Sequence, residues 1–321
     1  MPADAIRRRF SIVVPVFQNE ANLPATVPRL LALGDRLPGY ELELVFVEDG
    51  SRDGSFAALQ EFARAHPRRV KVVKLTRNFG QTPAIQAGLR HASGDCVGII
   101  SADLQEPCEL FIDMLAEWQR GAQFIMGERR ERREGRRHRL LSSIYWKLIR
   151  RFAFEDFPKL GYDFCLLDRQ VVADINGISE KNSSIFVLIY WLGYRPVRLA
   201  VVRDVRRAGT SQWQIGKKIS FTVDTLLGFT YLPARSITFL GFGLAALSVL
   251  YLFYALISWA VMRAAPPGWM TQIGLLTLLG STITYALGII SEYLLRILDE
   301  ARKRPPYVVE RVIGGEPRPD V

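Results

Sequence analysis

Cysteine is scarce in this chain, with 3 among 321 residues. Cys96, Cys108 and Cys165 make no C-x-x-C pair and show no zinc-ligand spacing, which excludes a disulfide scaffold and a structural zinc site and fits a reducing compartment. No G-x-G-x-x-G stretch occurs, so a dinucleotide-binding dehydrogenase is poorly supported. Internal repeats and low-complexity linkers are missing too. The opening MPADAIRRRF lacks the apolar core of a signal peptide, and the expectation is that the part following it stays in the cytoplasm. Acidic residues are outnumbered: 42 Lys and Arg against 32 Asp and Glu leave a formal charge of +10, which implies a polyanionic partner such as nucleic acid, a membrane surface or a phosphorylated substrate.

What is present is apolar, at 49% hydrophobic residues, and it is punctuated at regular places by acidic strand ends. The stretch GIISADLQEPCE, Gly98 to Glu109, organises the rest. An apolar run stops at Asp103 and Gln105, which on an extended backbone point the same way and offer a carboxylate and an amide oxygen to a hard cation such as Mg2+. Pro107 ends the strand and an amphipathic helix is predicted from Leu110 to Arg120. Other strands are predicted at Phe10–Phe17, Glu41–Val47, Val70–Leu75, Cys96–Ile100, Gln123–Gly127 and Val197–Val202. Helices are predicted between them at Leu23–Leu33, at Phe56–Ala65 with Ser55 or Asp53 as cap, and after TRNFGQTPAIQAG. This alternation specifies a three-layer α/β fold with a largely parallel sheet. Ligands of such sheets lie off the carboxyl ends of the strands, where Asp49, Asp103 and the loop after Phe17 all fall. Asp49 is placed to accept hydrogen bonds from a base or ribose, and the same EDGSRDG also reads as a polar turn.

Glu128 to Arg139, ERRERREGRRHR, holds seven Arg and three Glu and is either a solvated loop or a basic flap over phosphates or an anionic membrane face. Leu140 to Phe154 is an amphipathic helix of either core or interfacial kind. Asp163 stands beside an apolar strand, Asp168 and Arg169 at a turn or helix start, and Asn182 to Leu192 forms a core helix. From Arg203 onward, basic residues interleave with aromatic and aliphatic ones as in an amphipathic surface segment. Ile237–Met262 and Met270–Ile290 carry no charge and are each long enough to span a bilayer. Arg235 before them and Arg296, Arg302, Lys303 and Arg304 after them put both chain ends in the cytoplasm by positive-inside counting. The prolines after Arg304 predict an extended tail.

Taken in order, VVPVFQNEANLP, VFVEDGSRDGS, LTRNFGQTPAIQAGL, SADLQEP, DFCLLDR, GTSQW and SEYLLRILDEARKRPPYVV resemble the inverting glycosyltransferases related to dolichol-phosphate mannose synthase, and within them the two-span polyprenyl-phosphate (bactoprenol) branch. The resemblance implies a GT-A domain over 1–205, an amphipathic juxtamembrane segment over 206–235, two transmembrane helices within 236–297 (about 237–262 and 270–292) and an extended cytoplasmic tail over 298–321. It implies transfer of a sugar, glucose from UDP-glucose first and mannose or a uronic acid as alternatives, to undecaprenyl or other polyprenyl phosphate with inversion. The location is a bacterial inner membrane, and the assembly a homo-oligomer, with a tetramer as one form. By position, Pro15, Phe17, Asn19, Val47, Asp49, Ser101, Ala102 and Asp103 would contact the nucleotide sugar. Asp103 and Gln105 would hold Mg2+ or Mn2+. Arg129, Arg206, Gln212, Trp213 and Lys217 would meet the acceptor phosphate and lipid. Asp103, Arg129 and Asp163 are the candidates for catalysis, with Asp163 read equally as a structural carboxylate. The family commonly has Glu at Asn19, Asp at Ser101, Arg at Cys165 and Lys at Gln212, and Ser101 bears most on the metal site. A processive synthase is disfavoured because no Q-x-x-R-W motif is present, and nucleic-acid binding because the basic residues cluster around the spans. The remaining alternative is a catalytically silent membrane scaffold or binding subunit.

Overall fold

A computed structural model describes residues 8–129, 150, 154, 156–158, 161–178, 180, 183–201, 232–262 and 268–315. They fall into two compact units, Met1–Thr222 with Pro305–Val321, and Val223–Arg304.

In the first unit four apolar runs become parallel strands, Arg8–Val16 (β1), Tyr40–Glu48 (β2), Val70–Leu75 (β3) and Cys96–Ile99 (β4). The helices Leu23–Asp35 (α1), Ser55–Ala65 (α2), Gln81–His91 (α3) and Leu110–Gln119 (α4) connect or follow them. Each strand is buried almost throughout because helices cover both faces of a parallel sheet. Phe124–Arg129 (β5) and Cys165–Asp168 (β6) come next. Then follow the helices Arg169–Asn176 (α5) and Ile185–Trp191 (α6) and the strand Pro196–Val201 (β7). Asp168 caps α5 by accepting from the Gln170 N–H at 2.8 Å. Val309–Ile313 (β8) completes an 8-stranded sheet of order β7-β5-β6-β4-β1-β2-β3-β8, in which β6 and β8 run antiparallel to their neighbours. The tail expected only to be extended thus contributes the strand that closes the β3 edge.

Under the organising motif, Phe111 of α4 packs edge-on against Phe10 of β1 and against Phe164, with ring centroids 5.3 and 4.7 Å apart. Each such aromatic pair adds about 0.5–1.5 kcal/mol beyond the area it buries.

The second unit holds the helices Leu232–Met262 (α7) and Gly268–Ala301 (α8). Their windows Ala234–Tyr251 and Gly274–Ala301 are long and apolar enough to cross a membrane by length and composition. Large side chains such as Phe239, Phe242 and Val261 are exposed along them. Ser236 of α7 and Tyr285 of α8 share a hydrogen bond of 2.8 Å. The basic run from Arg130, the amphipathic stretch before Phe154 apart from Arg150, and the juxtamembrane segment with Arg206, Gln212, Trp213 and Lys217 lie outside the described residues.

Candidate functional site

Because β1 to β4 are parallel, their carboxyl ends share one edge of the sheet, and four loops lie there. The loop after β1 turns through Gln18, a non-glycine residue with φ 50°. It is tied to the loop after β2: Gln18 N donates to Ser51 Oγ at 3.0 Å, Asn19 N to Ser55 Oγ at 3.0 Å and Glu20 N to Asp53 Oδ2 at 3.2 Å. In return Gly54 N donates to Glu20 Oε2 at 2.8 Å. Neither Ser55 nor Asp53 is the N-cap of α2. Gly54 occupies that position and has no side chain to cap with, while Asp53 one residue earlier meets the first helical amide, its Oδ1 accepting from Ser55 N at 3.2 Å, and the Ser55 hydroxyl is engaged by Asn19. The Asn19 amide is also committed, donating to Phe17 O at 3.0 Å and accepting from Asn22 at 2.9 Å.

Asp49 sits at the end of β2, nearly buried at 3% exposure. Its two carboxylate oxygens accept separate backbone donors, Phe79 N at 2.7 Å and Gly80 N at 2.9 Å, from the loop that opens α3. Burial pushes its pKa up to about 6, with the neighbouring Glu48 carboxylate adding to the rise and the two amides opposing it. Gly50 follows with φ 66°, and a Cβ there would lie 2.4 Å from the backbone of Arg77 and of Asn78. The β2 and β3 loops are therefore in direct backbone contact. Of the other residues assigned to the nucleotide, Pro15 and Phe17 are half-buried at this edge. Val47, paired in register with Pro15, is fully buried and lies close under Gly88 of α3.

The β4 loop departs from expectation in its backbone. Asp103 and Gln105 do not lie on an extended strand, since β4 ends at Ile99 and the chain turns, with Leu104 N bonded to Ser101 O at 3.3 Å and Leu104 at φ 44°. The Asp103 side chain causes much of this: its Oδ1 accepts from Ser101 Oγ at 2.6 Å and from Gln105 N at 3.4 Å. Ser101 Oγ also lies 3.0 Å from Oε2 of Glu106, a residue with 1% exposure. A hydroxyl has one proton to give, so the two carboxylates compete for it. Ala102 is buried, and its carbonyl accepts from Thr26 Oγ1 of α1 at 2.7 Å. Arg29 of α1 grips Glu109 with contacts of 2.9 to 3.1 Å. Thr26, Glu106 and the two amides at Phe79 and Gly80 were not legible as site residues. The first two act through contacts distant in sequence or through burial, and only the glycine opening α3 hinted at the amides.

Asp163 directly precedes Phe164 and β6. The antiparallel pairing Ile99↔Cys165 brings the chain around Asp163 to the same end of the sheet as Ser101 and Asp103. Cys165, standing where the family commonly has Arg, is fully buried with its thiol pushed far up by burial. Arg129 ends β5, paired in register with Val201 at the end of β7, and so reaches this edge as well. Asp103 with its hydroxyl and amide neighbours supplies hard oxygen donors of the type a small divalent cation takes. Among the described residues no cluster of three or more His, Cys, Asp or Glu forms a protein cage, so an ion here would draw the rest of its shell from phosphates and water.

The family model described as glycosyl transferase family 2 matches residues 11–175. A glycosyltransferase of Bacillus subtilis, YkcC, is 32% identical over 309 residues, covering 96% of this chain and 95% of that protein. The bactoprenol glucosyl transferase of Shigella phage SfII is 31% identical over 310 residues, covering 96% and 100%. Among solved structures, the mannosyltransferase PcManGT from Pyrobaculum calidifontis, in complex with GDP-Man and Mn2+, aligns over 89% of each chain at 20% identity with a TM-score of 0.45.

Proposed function

Because the chain belongs to glycosyl transferase family 2, a family of sugar-transferring enzymes with the GT-A fold, we propose that it moves glucose from UDP-glucose to undecaprenyl phosphate at the cytoplasmic face of a bacterial inner membrane. The observation that carries this reading is the placement of Asp49, Ser101, Asp103 and Asp163 along one carboxyl edge of the sheet. Val201 ends β7 and Val309 begins β8 at that same edge. The full-length similarity to a bactoprenol glucosyl transferase supports the lipid acceptor and the sugar.

On this reading Asp49 accepts from the uracil or its ribose, and Asp103 with Gln105 faces the diphosphate. A divalent cation bound there, Mg2+ or Mn2+, would neutralise charge building on the departing nucleoside diphosphate. The acceptor phosphate is already an anion and needs no strong base. Its oxygen forms the new bond to the anomeric carbon as the bond to the diphosphate breaks, and in-line displacement inverts that carbon. Asp163 orients the acceptor or counters positive charge at the reacting carbon. Arg129, Arg206, Gln212, Trp213 and Lys217 receive the acceptor phosphate and its lipid. With α7 and α8 both crossing the membrane, the two chain ends lie on one side of it, and the protein assembles as a homo-oligomer.

The test is transfer of radiolabelled sugar into organic-extractable lipid by purified protein, with undecaprenyl phosphate and a panel of nucleotide sugars, with and without EDTA. Label from UDP-glucose alone, lost with EDTA, is the expected result; label from another donor corrects the sugar. No lipid product from any donor, with protein shown to be folded, would favour the silent-scaffold reading.

A further inference from the structure

The strand after the apolar helices does more than cover an edge. Pro305 and Pro306 lead from α8 into Tyr307, whose phenol pKa is raised by burial against the opposing charge of Arg90 on α3. From there the chain pairs backward along β3: Val309 faces Leu75, Arg311 faces Lys74, Val312 faces Val73 and Ile313 faces Val72. Glu310 is the extra residue at the register shift, and its carboxylate meets Lys74 Nζ at 2.7 Å. Lys74 in turn lies 4.6 Å from the centroid of the Phe56 ring on α2. Bulges of this kind re-aim a strand, and they recur beside functional sites.

The bonding continues past the strand, where Thr76 N donates to Val308 O at 3.0 Å. Thr76 begins the loop whose Phe79 and Gly80 amides hold Asp49, and whose Arg77 and Asn78 backbone presses on Gly50. The loop is therefore tethered on one side by β8 and on the other by the carboxylate assigned to the donor base. We infer that the returning strand β8 is a positioning element of the donor site, holding the Thr76–Gly80 loop where its amides fix Asp49, so that nucleotide affinity depends on residues beyond the apolar helices. The link to affinity rests on the donor-site reading above.

The experiment reverses the charge of the bulged residue and then exchanges the pair. In the full-length protein, Glu310→Lys sets two ammonium groups opposite each other at the bulge, while Lys74→Glu/Glu310→Lys restores an opposite-charge pair. Gly314→Val is an independent wedge, since Gly314 has φ 69° and a Cβ there would lie 2.3 Å from Val70 O. The readouts are amide hydrogen exchange over Thr76–Gly80, the Kd for UDP with Mn2+, and the split between donor KM and kcat. Glu310→Lys is expected to raise exchange in the loop and to weaken UDP about fivefold, with KM rising and kcat retained. The exchanged pair should recover most of these, short of the contact Glu310 also makes with Arg311 at 3.0 Å, and Gly314→Val should repeat the loop exchange. Loop exchange and Kd at wild-type values in both perturbing variants would overturn the proposal. Failure of the wild-type protein to bind UDP would strike the donor reading alone, because loop exchange still decides the positioning.

Discussion

Acidification should act on UDP binding through Asp49 in a way that can be worked out beforehand. The carboxyl titrates at about 6, and only its ionised form accepts from both loop amides and keeps lone pairs for a base N–H. With that value, about nine-tenths of Asp49 is ionised at pH 7 and about a tenth at pH 5, so the Kd for UDP should rise roughly tenfold between them. Stability moves the other way. The folded pKa lies above the unfolded one, so this group's contribution is complete below the ordinary Asp range and is lost as pH rises through about 6, which amounts to about 3 kcal/mol by pH 7. Asp49→Asn removes both dependences, so the stability of wild type relative to this variant should improve as pH falls from 7 to 5 while its UDP affinity worsens. The assay is calorimetric titration of UDP and Mn2+ at intervals across this range, paired with urea unfolding of the unliganded proteins. A flat Kd in folded wild-type protein, or an equal slope in Asp49→Asn, would refute the assignment.

Two further substitutions separate chemistry from architecture. Gly50→Ala sets a methyl group against the backbone of Arg77 and Asn78 at a left-handed φ, so it should cost about 1–3 kcal/mol in chemical unfolding and weaken UDP as well; unchanged stability would contradict the close contact of the two loops. Asp103→Ala should abolish sugar transfer while leaving the protein in the membrane fraction at wild-type levels, and near-normal turnover would sink the metal assignment.

The central strands were legible because each is a compact apolar run buried on both faces, a pattern that needs no partner to be recognised, and β3 kept its expected bounds. VERVI, the sequence of β8, is different. It is mostly solvent-facing, carries two charges in five residues and follows two prolines, so its strand character comes from pairing with β3 far away in the chain. The same distinction separates the site residues. Asp49 and Asp103 could be found because an acidic residue ending an apolar run is a local event. The turn that holds Asp103 depends on Ser101 and on the left-handed Leu104, which spacing alone does not reveal. Ser101 read as a lost carboxylate; in the fold its hydroxyl lies within hydrogen-bond distance of two carboxylates.

The late position of β8 also sets an order for biogenesis. While the ribosome is still making the apolar helices, β3 has been synthesised but its outer row of amides and carbonyls has no covering strand, a state that can template pairing with another chain. Val72 meets Ile313 only after both apolar helices have been synthesised, so the sheet is finished after them rather than before. A nascent chain stalled within the helices would present an open strand edge to its neighbours until β8 is made.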